Sequence, residues 1–127
     1  MRVHSKAMAW RRFLLLSSIL LTASAQPSGQ EFERALAADP RNPEIHSSYA
    51  IFLQQQGRAA DAITHFRKAL ELAPRSADFT YNLALALLHE NQAAEALIVL
   101  DKHPFQAADH LALRGAVLSV LGRFPPA

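Results

Sequence analysis

The chain has 127 residues, half of them apolar and 19% charged, enough for one packed domain and too apolar for outright disorder. It contains no cysteine, which excludes a disulfide scaffold, a thiolate metal site, an iron–sulfur cluster and a cysteine nucleophile. The formal charge of +2 comes from one end: Arg2, Lys6, Arg11 and Arg12 precede any acidic residue, and the rest of the chain carries nine basic against eleven acidic residues. Without those four residues the net charge is −2, and the composition gives no support to nucleic-acid binding.

The basic segment 1–12 is followed by the apolar run Phe13 to Leu21, and then by Thr22-Ala23-Ser24-Ala25, whose small residues fit a signal-peptidase site. Residues 1–25 therefore read as a secretory signal peptide, with Met1 or Met8 as the start, and residues 26–127 as the exported chain, periplasmic or secreted. Nine apolar residues fall short of the roughly 17–25 of a spanning helix. A membrane-tethered protein is expected only if the segment is retained uncleaved.

Beyond the leader, the spacing predicts a short helix from Gln30 to Ala38, closed by Asp39-Pro40. Ile45, Tyr49, Phe52 and Leu53 then form one stripe of a helix from about Pro43 to Gln56, with proline at the start and Gly57 at the stop. Ala62, Ile63, Phe66, Ala69 and Leu70 form the stripe of another, from about Ala59 to Ala73, which Pro74 closes. The unit is an antiparallel helix pair, in which Ala50 and Ala62 let the two axes approach while Tyr49, Leu53 and Phe66 fill the space around them.

This unit recurs. Phe32, Ala35, Leu36 and Pro40 return 34 residues later as Phe66, Ala69, Leu70 and Pro74; Ala50 and Leu53 return as Ala84 and Leu87. A second step, of 31 residues, relates Ala84 and Leu87 to Gly115 and Leu118, so three residues are missing near Pro104. The chain thus divides into a lone helix (30–38), a full repeat (43–76), a shortened repeat (77–107) and a truncated repeat (108–127).

The run of His46, Tyr49, Ala50, Leu53, Gly57, Ala62, Phe66, Ala69 and Pro74 resembles the tetratricopeptide repeat, whose period is 34. The usual first aromatic is replaced by His46 and, in the next unit, by Thr80. The resemblance implies an all-α superhelical solenoid of about three helix pairs, incomplete at both ends, that binds a protein or peptide on the concave wall built by the first helix of each unit. It implies a wall of Glu44, Ser47, Ile51, Gln54 and Gln55, then Asp78, Tyr81, Asn82, Leu85 and Leu88, then Asp109, Ala112 and Ala116. That wall is mildly acidic and partly apolar, and suits a ligand with basic and aliphatic side chains. Family members that clamp a terminal carboxylate use two asparagines and three basic residues; the matching positions here are Ser47, Ile51, Asn82, Asp109 and Leu113, of which only Asn82 agrees.

The last helix, from near Asp109, would leave Leu111, Leu113, Ala116, Val117, Leu118, Val120 and Leu121 without cover if nothing follows it. Gly122-Arg123 through Ala127 reads like Gly57-Arg58 through Ala62, the opening of a second helix, so the chain reads as a piece of a longer protein, with self-association or a partner helix as the other ways to cover the face. An N-terminal helper region of an exported enzyme or of a secretion or assembly subunit is the alternative function.

No catalytic constellation is expected. There is no phosphate-binding glycine loop and no G-x-S-x-G elbow. His46, His65, His89, His103 and His110 show no metal-binding spacing and fall on different helices, so they read as surface or interface residues, with no metal and no cofactor.

Overall fold

The computed structural model describes residues 27–123. Six helices follow one another: α1 (Gly29–Ala38), α2 (Pro43–Gln55), α3 (Ala59–Leu72), α4 (Ala77–His89), α5 (Ala93–Lys102) and α6 (Ala108–Val120). Among the described residues there is no strand, and no helix is long and apolar enough to cross a membrane. The expected leader, residues 1–25, lies outside the described residues.

Local chemistry fixes where the helices begin. The Ser28 hydroxyl accepts from Glu31 N while the Glu31 carboxylate accepts from Ser28 N, a reciprocal cap on α1. The Asn42 side chain accepts from Glu44 N, and Pro43 fills the first position of α2, where its missing N–H costs nothing. Ser76 caps α4 by accepting from Phe79 N at 3.2 Å.

The three turns that end α2, α4 and α6 share one geometry. Arg58 N donates to Leu53 O, Gln92 N to Leu87 O and Arg123 N to Leu118 O, each at 2.8 Å. The residue before each donor adopts positive φ: Gly57 at 75°, Asn91 at 60° and Gly122 at 67°. These are Schellman turns, in which a left-handed residue lets the chain reverse and satisfies the last carbonyls. Their spacing reproduces the 34- and 31-residue steps of the sequence.

The second helices also end alike. Asp39 N donates to Ala35 O, Ala73 N to Ala69 O and His103 N to Val99 O, with near-identical cap angles. By this criterion α1 is a helix of the same kind as α3 and α5. The step from α3 to α5 shows how the repeat shrinks: α3 has 14 residues and α5 has 10, so four are lost from the helix and the following loop returns one.

The core runs continuously through the stack. Ala50, Ala62, Ala69, Ala84 and Ala96 are all fully enclosed, and Phe66, Leu53 and Leu87 fill the space between them. Small residues at the crossings and large ones beside them are the packing that the recurring alanines require. At the N-terminal end the rings of Phe32, Tyr49 and Phe52 cluster, with Phe32 stacked on Tyr49 at 5.3 Å.

Candidate functional site

The residues expected to form a binding wall sit on α2, α4 and α6, the first helices of successive units. Glu44, Ile51 and Gln54 are exposed on α2, as are Asp78 on α4 and Asp109 and Ala112 on α6. Tyr81, Asn82, Leu85 and Leu88 of α4 are half-buried and remain reachable. Ser47 differs from the rest: it is 5% exposed, so the structure buries it instead of presenting it on the wall. Gln55 and Ala116 are exposed.

Charge on this set is ordered. Glu44, Asp78 and Asp109 each occupy the first turn of their helix, so three carboxylates mark the same end of the first helices of three successive units. Each favours the positive N-terminal end of its own helix dipole, and none is in an ion pair among the described residues. Apolar side chains lie beyond them on the same helices: Ile51 at 44% exposure, then Leu85 and Leu88. An array of this kind can hold aliphatic groups with cationic groups toward one end.

Two clefts flank it. One, of about 340 Å³, opens at the N-terminal end and is lined by Pro27, Phe32, Ser48, Ile51, Phe52 and Gln55. The other, of about 310 Å³, lies between α5 and α6, with Leu100, Phe105, His110 and Leu111 in its lining and the Asp101–Arg114 ion pair beside it.

The histidines correct the sequence reading. His46 and His110 are buried, and His46 meets His65 of the next helix with their Nδ1 atoms 3.1 Å apart. His46 Nε2 lies 2.8 Å from the Pro40 carbonyl, which can only accept; the proton therefore sits on Nε2, and Nδ1 accepts from His65 Nδ1–H. Burial, followed by the adjacent His46, pushes the His65 pKa below its ordinary value of 6.5. His110 likewise donates from Nε2 to Ala77 O at 2.8 Å and packs against Tyr81 and Phe105, leaving a buried Nδ1 without a partner. These contacts join neighbouring elements through space, and only the absence of the usual aromatic at position 46 hinted at one of them. Among the described residues, no group of three or more His, Asp or Glu side chains is placed to hold a metal ion.

Comparison with known proteins follows the same lines. A tetratricopeptide repeat model matches residues 53–119, and a second model of that repeat matches residues 31–64. Among solved structures the chain is similar to YrrB, a TPR protein with an unusual peptide-binding site, at 20% identity and a TM-score of 0.64. The similarity covers 76% of this chain and 51% of that one, so the chain spans about half its length. No curated protein matches.

Proposed function

The chain belongs to the tetratricopeptide repeat family, and from that premise we propose that it is a non-catalytic protein-interaction module that holds a peptide or partner helix along the concave side of α2, α4 and α6. The observation that carries this reading is the placement of Glu44, Asp78 and Asp109 at one end of the first helices of three successive units, beside the reachable aliphatic row of Ile51, Leu85 and Leu88. The ligand is a segment with aliphatic side chains buried along the row and Lys or Arg directed toward the carboxylates. The similar TPR structure has a peptide-binding site, which supports a peptide as the ligand. We read residues 1–25 as an export signal cut after Ala25, which places the module outside the cytoplasm; a mature N-terminus at Gln26 by mass spectrometry checks that.

Selection from a random-peptide display library tests the ligand class. Enriched sequences combine basic and aliphatic residues. Ile51→Glu with Leu85→Glu abolishes their binding while circular dichroism stays unchanged, and Glu44→Lys with Asp78→Lys weakens it more at low salt than at high. Selected peptides that are acidic, or that still bind the Ile51→Glu, Leu85→Glu protein, refute the assignment.

A further inference from the structure

His46 of α2 and His65 of α3 face one another nitrogen to nitrogen. The ring centroids lie 5.4 Å apart and the Nδ1 atoms 3.1 Å apart, so the two ring radii take up the difference and the nitrogens point along one line. Each Nδ1 carries an in-plane lone pair whenever its ring holds its proton on Nε2. For His46 that condition is already met, because the Pro40 carbonyl holds Nε2–H at 2.8 Å. A hydrogen bond of this kind, from the far ring nitrogen to a backbone carbonyl, is what fixes the tautomer and orientation of a metal-bound histidine. His46 is also only 8% exposed, so its ring is held in place by packing.

The donor count decides which ion suits the pair. Among the described residues no group of three or more His, Asp or Glu side chains is placed to hold a metal, so two imidazoles are what the protein offers here. Zinc takes four protein ligands in structural sites and three in catalytic ones. Two collinear nitrogens instead match the linear coordination of a monovalent d10 cation, which needs no third donor, and imidazole is a ligand that copper accepts. Placing such an ion between the rings takes two metal–nitrogen bonds of about 2 Å each, and so Nδ1 atoms about 4 Å apart instead of 3.1 Å. His65 supplies that movement, being half-buried where His46 is enclosed.

We propose that His46 and His65 form a two-coordinate site for a monovalent d10 cation of the Cu(I) and Ag(I) type, bridging α2 and α3 through both Nδ1 atoms. No proton is released on binding. The His65 proton moves from Nδ1 to Nε2, both imidazoles stay neutral, and the site gains the single charge of the ion. A single charge is the least costly to bring into a partly buried place. Two carboxylates stand near it: Asp61, one turn before His65 on α3 and paired with Arg58, and Glu33, which accepts from the Tyr49 hydroxyl. The Tyr49 ring packs against His65 at 4.7 Å and limits how far it can swing. The bound ion ties together the two helices of the full repeat, so it stabilises the folded chain in proportion to its occupancy.

Ag(I) is the probe, because it needs no reductant. Titration of the full chain gives a site that His46→Gln and His65→Gln each weaken by about tenfold or more. The chain has no cysteine, and Met1 and Met8 are its only thioethers. Ag(I) binding that persists undiminished in both histidine variants belongs to other donors and overturns the proposal. Nitrogen-15 spectra of the wild-type chain read the tautomers directly, whatever the variants do to folding. Without Ag(I) the His65 proton is on Nδ1; at saturation it is on Nε2, and His46 keeps its Nε2 proton throughout. A His65 Nδ1–H that survives saturation with Ag(I) overturns the proposal. The melting temperature rises with Ag(I) in the wild type and not in His65→Gln, while Zn(II) at the same concentration affects both chains alike. A Zn(II) stabilisation that vanishes in His65→Gln would mean a site of higher coordination, and overturns the two-coordinate assignment.

Discussion

His46 and His65 meet across a 3.1 Å Nδ1···Nδ1 contact bridged by the His65 Nδ1 proton, because the Pro40 carbonyl holds the one proton of neutral His46 on Nε2. The pair joins α2 to α3 at the mouth of the hairpin, with Tyr49 packed against His65 at 4.7 Å. Tyr49 also donates to Glu33, and burial with that carboxylate raises its pKa.

A pH dependence follows. The folded pKa of His65 lies below 6.5, so the unfolded chain binds more protons, and stability rises with pH across that interval. The contribution is fully present above 6.5 and is lost as pH falls through the folded value. Urea midpoints measured from neutral to mildly acidic pH fall on acidification, and His65→Gln reduces the slope while lowering the neutral-pH midpoint. An unchanged slope in the variant would place the titrating group elsewhere.

Much of the fold is legible in the chain because close packing repeats at fixed offsets. Phe32 and Phe66, Ala50 and Ala84, Leu53 and Leu87 announce the hairpins, and Gly57 and Pro74 announce their ends. The candidate wall is less legible, since helical periodicity places a residue on a face without giving the rotation of that helix against its neighbours. That is how Ser47, polar and at a wall position, comes to be buried. The His46–His65 and His110–Ala77 contacts join helices through space and leave no spacing signature. The missing three residues are visible in the sequence, but their division between α5 and its loop depends on where the backbone bonds end.

The left-handed turn residues give a second prediction. At Gly57 nothing lies within 4 Å of an added Cβ, so the cost of a substitution is the backbone alone. Gly57→Ala lowers stability by about 1–2 kcal/mol. Gly57→Asn costs less, because Asn91 already occupies the same turn position at φ 60°. Thermal or urea unfolding of the two variants gives the order directly; equal losses would indicate a steric origin instead.

The crossing residues predict opposite signs along one series. Ala84 is fully enclosed, and Ala84→Leu overpacks the α4 crossing at about 1–3 kcal/mol. Gly115 is its counterpart in mid-α6 with open space around it, so Gly115→Ala gains roughly 0.5–1 kcal/mol from helix propensity. Chemical denaturation of both variants at low protein concentration checks the contrast.

Phe32 and Phe66 share a place in the repeat, but their losses on truncation differ. Phe66 is 1% exposed in the core, and Phe66→Ala removes the largest fully enclosed side chain among the described residues, at about 3–5 kcal/mol. Phe32 is half-buried at the edge, so fewer of its atoms leave water on folding, and Phe32→Ala costs less than half as much. The two variants also differ in where they act. Phe66→Ala lowers hydrogen-exchange protection across α2, α3 and α4 together, because it hollows the continuous core on which these neighbouring helices pack. Phe32→Ala frees α1 and the Tyr49–Phe52 edge while α4 to α6 keep their protection, as expected when an outer helix contacts only its neighbour. Equal protection losses throughout the chain in both variants would mean that the stack unfolds as one indivisible unit.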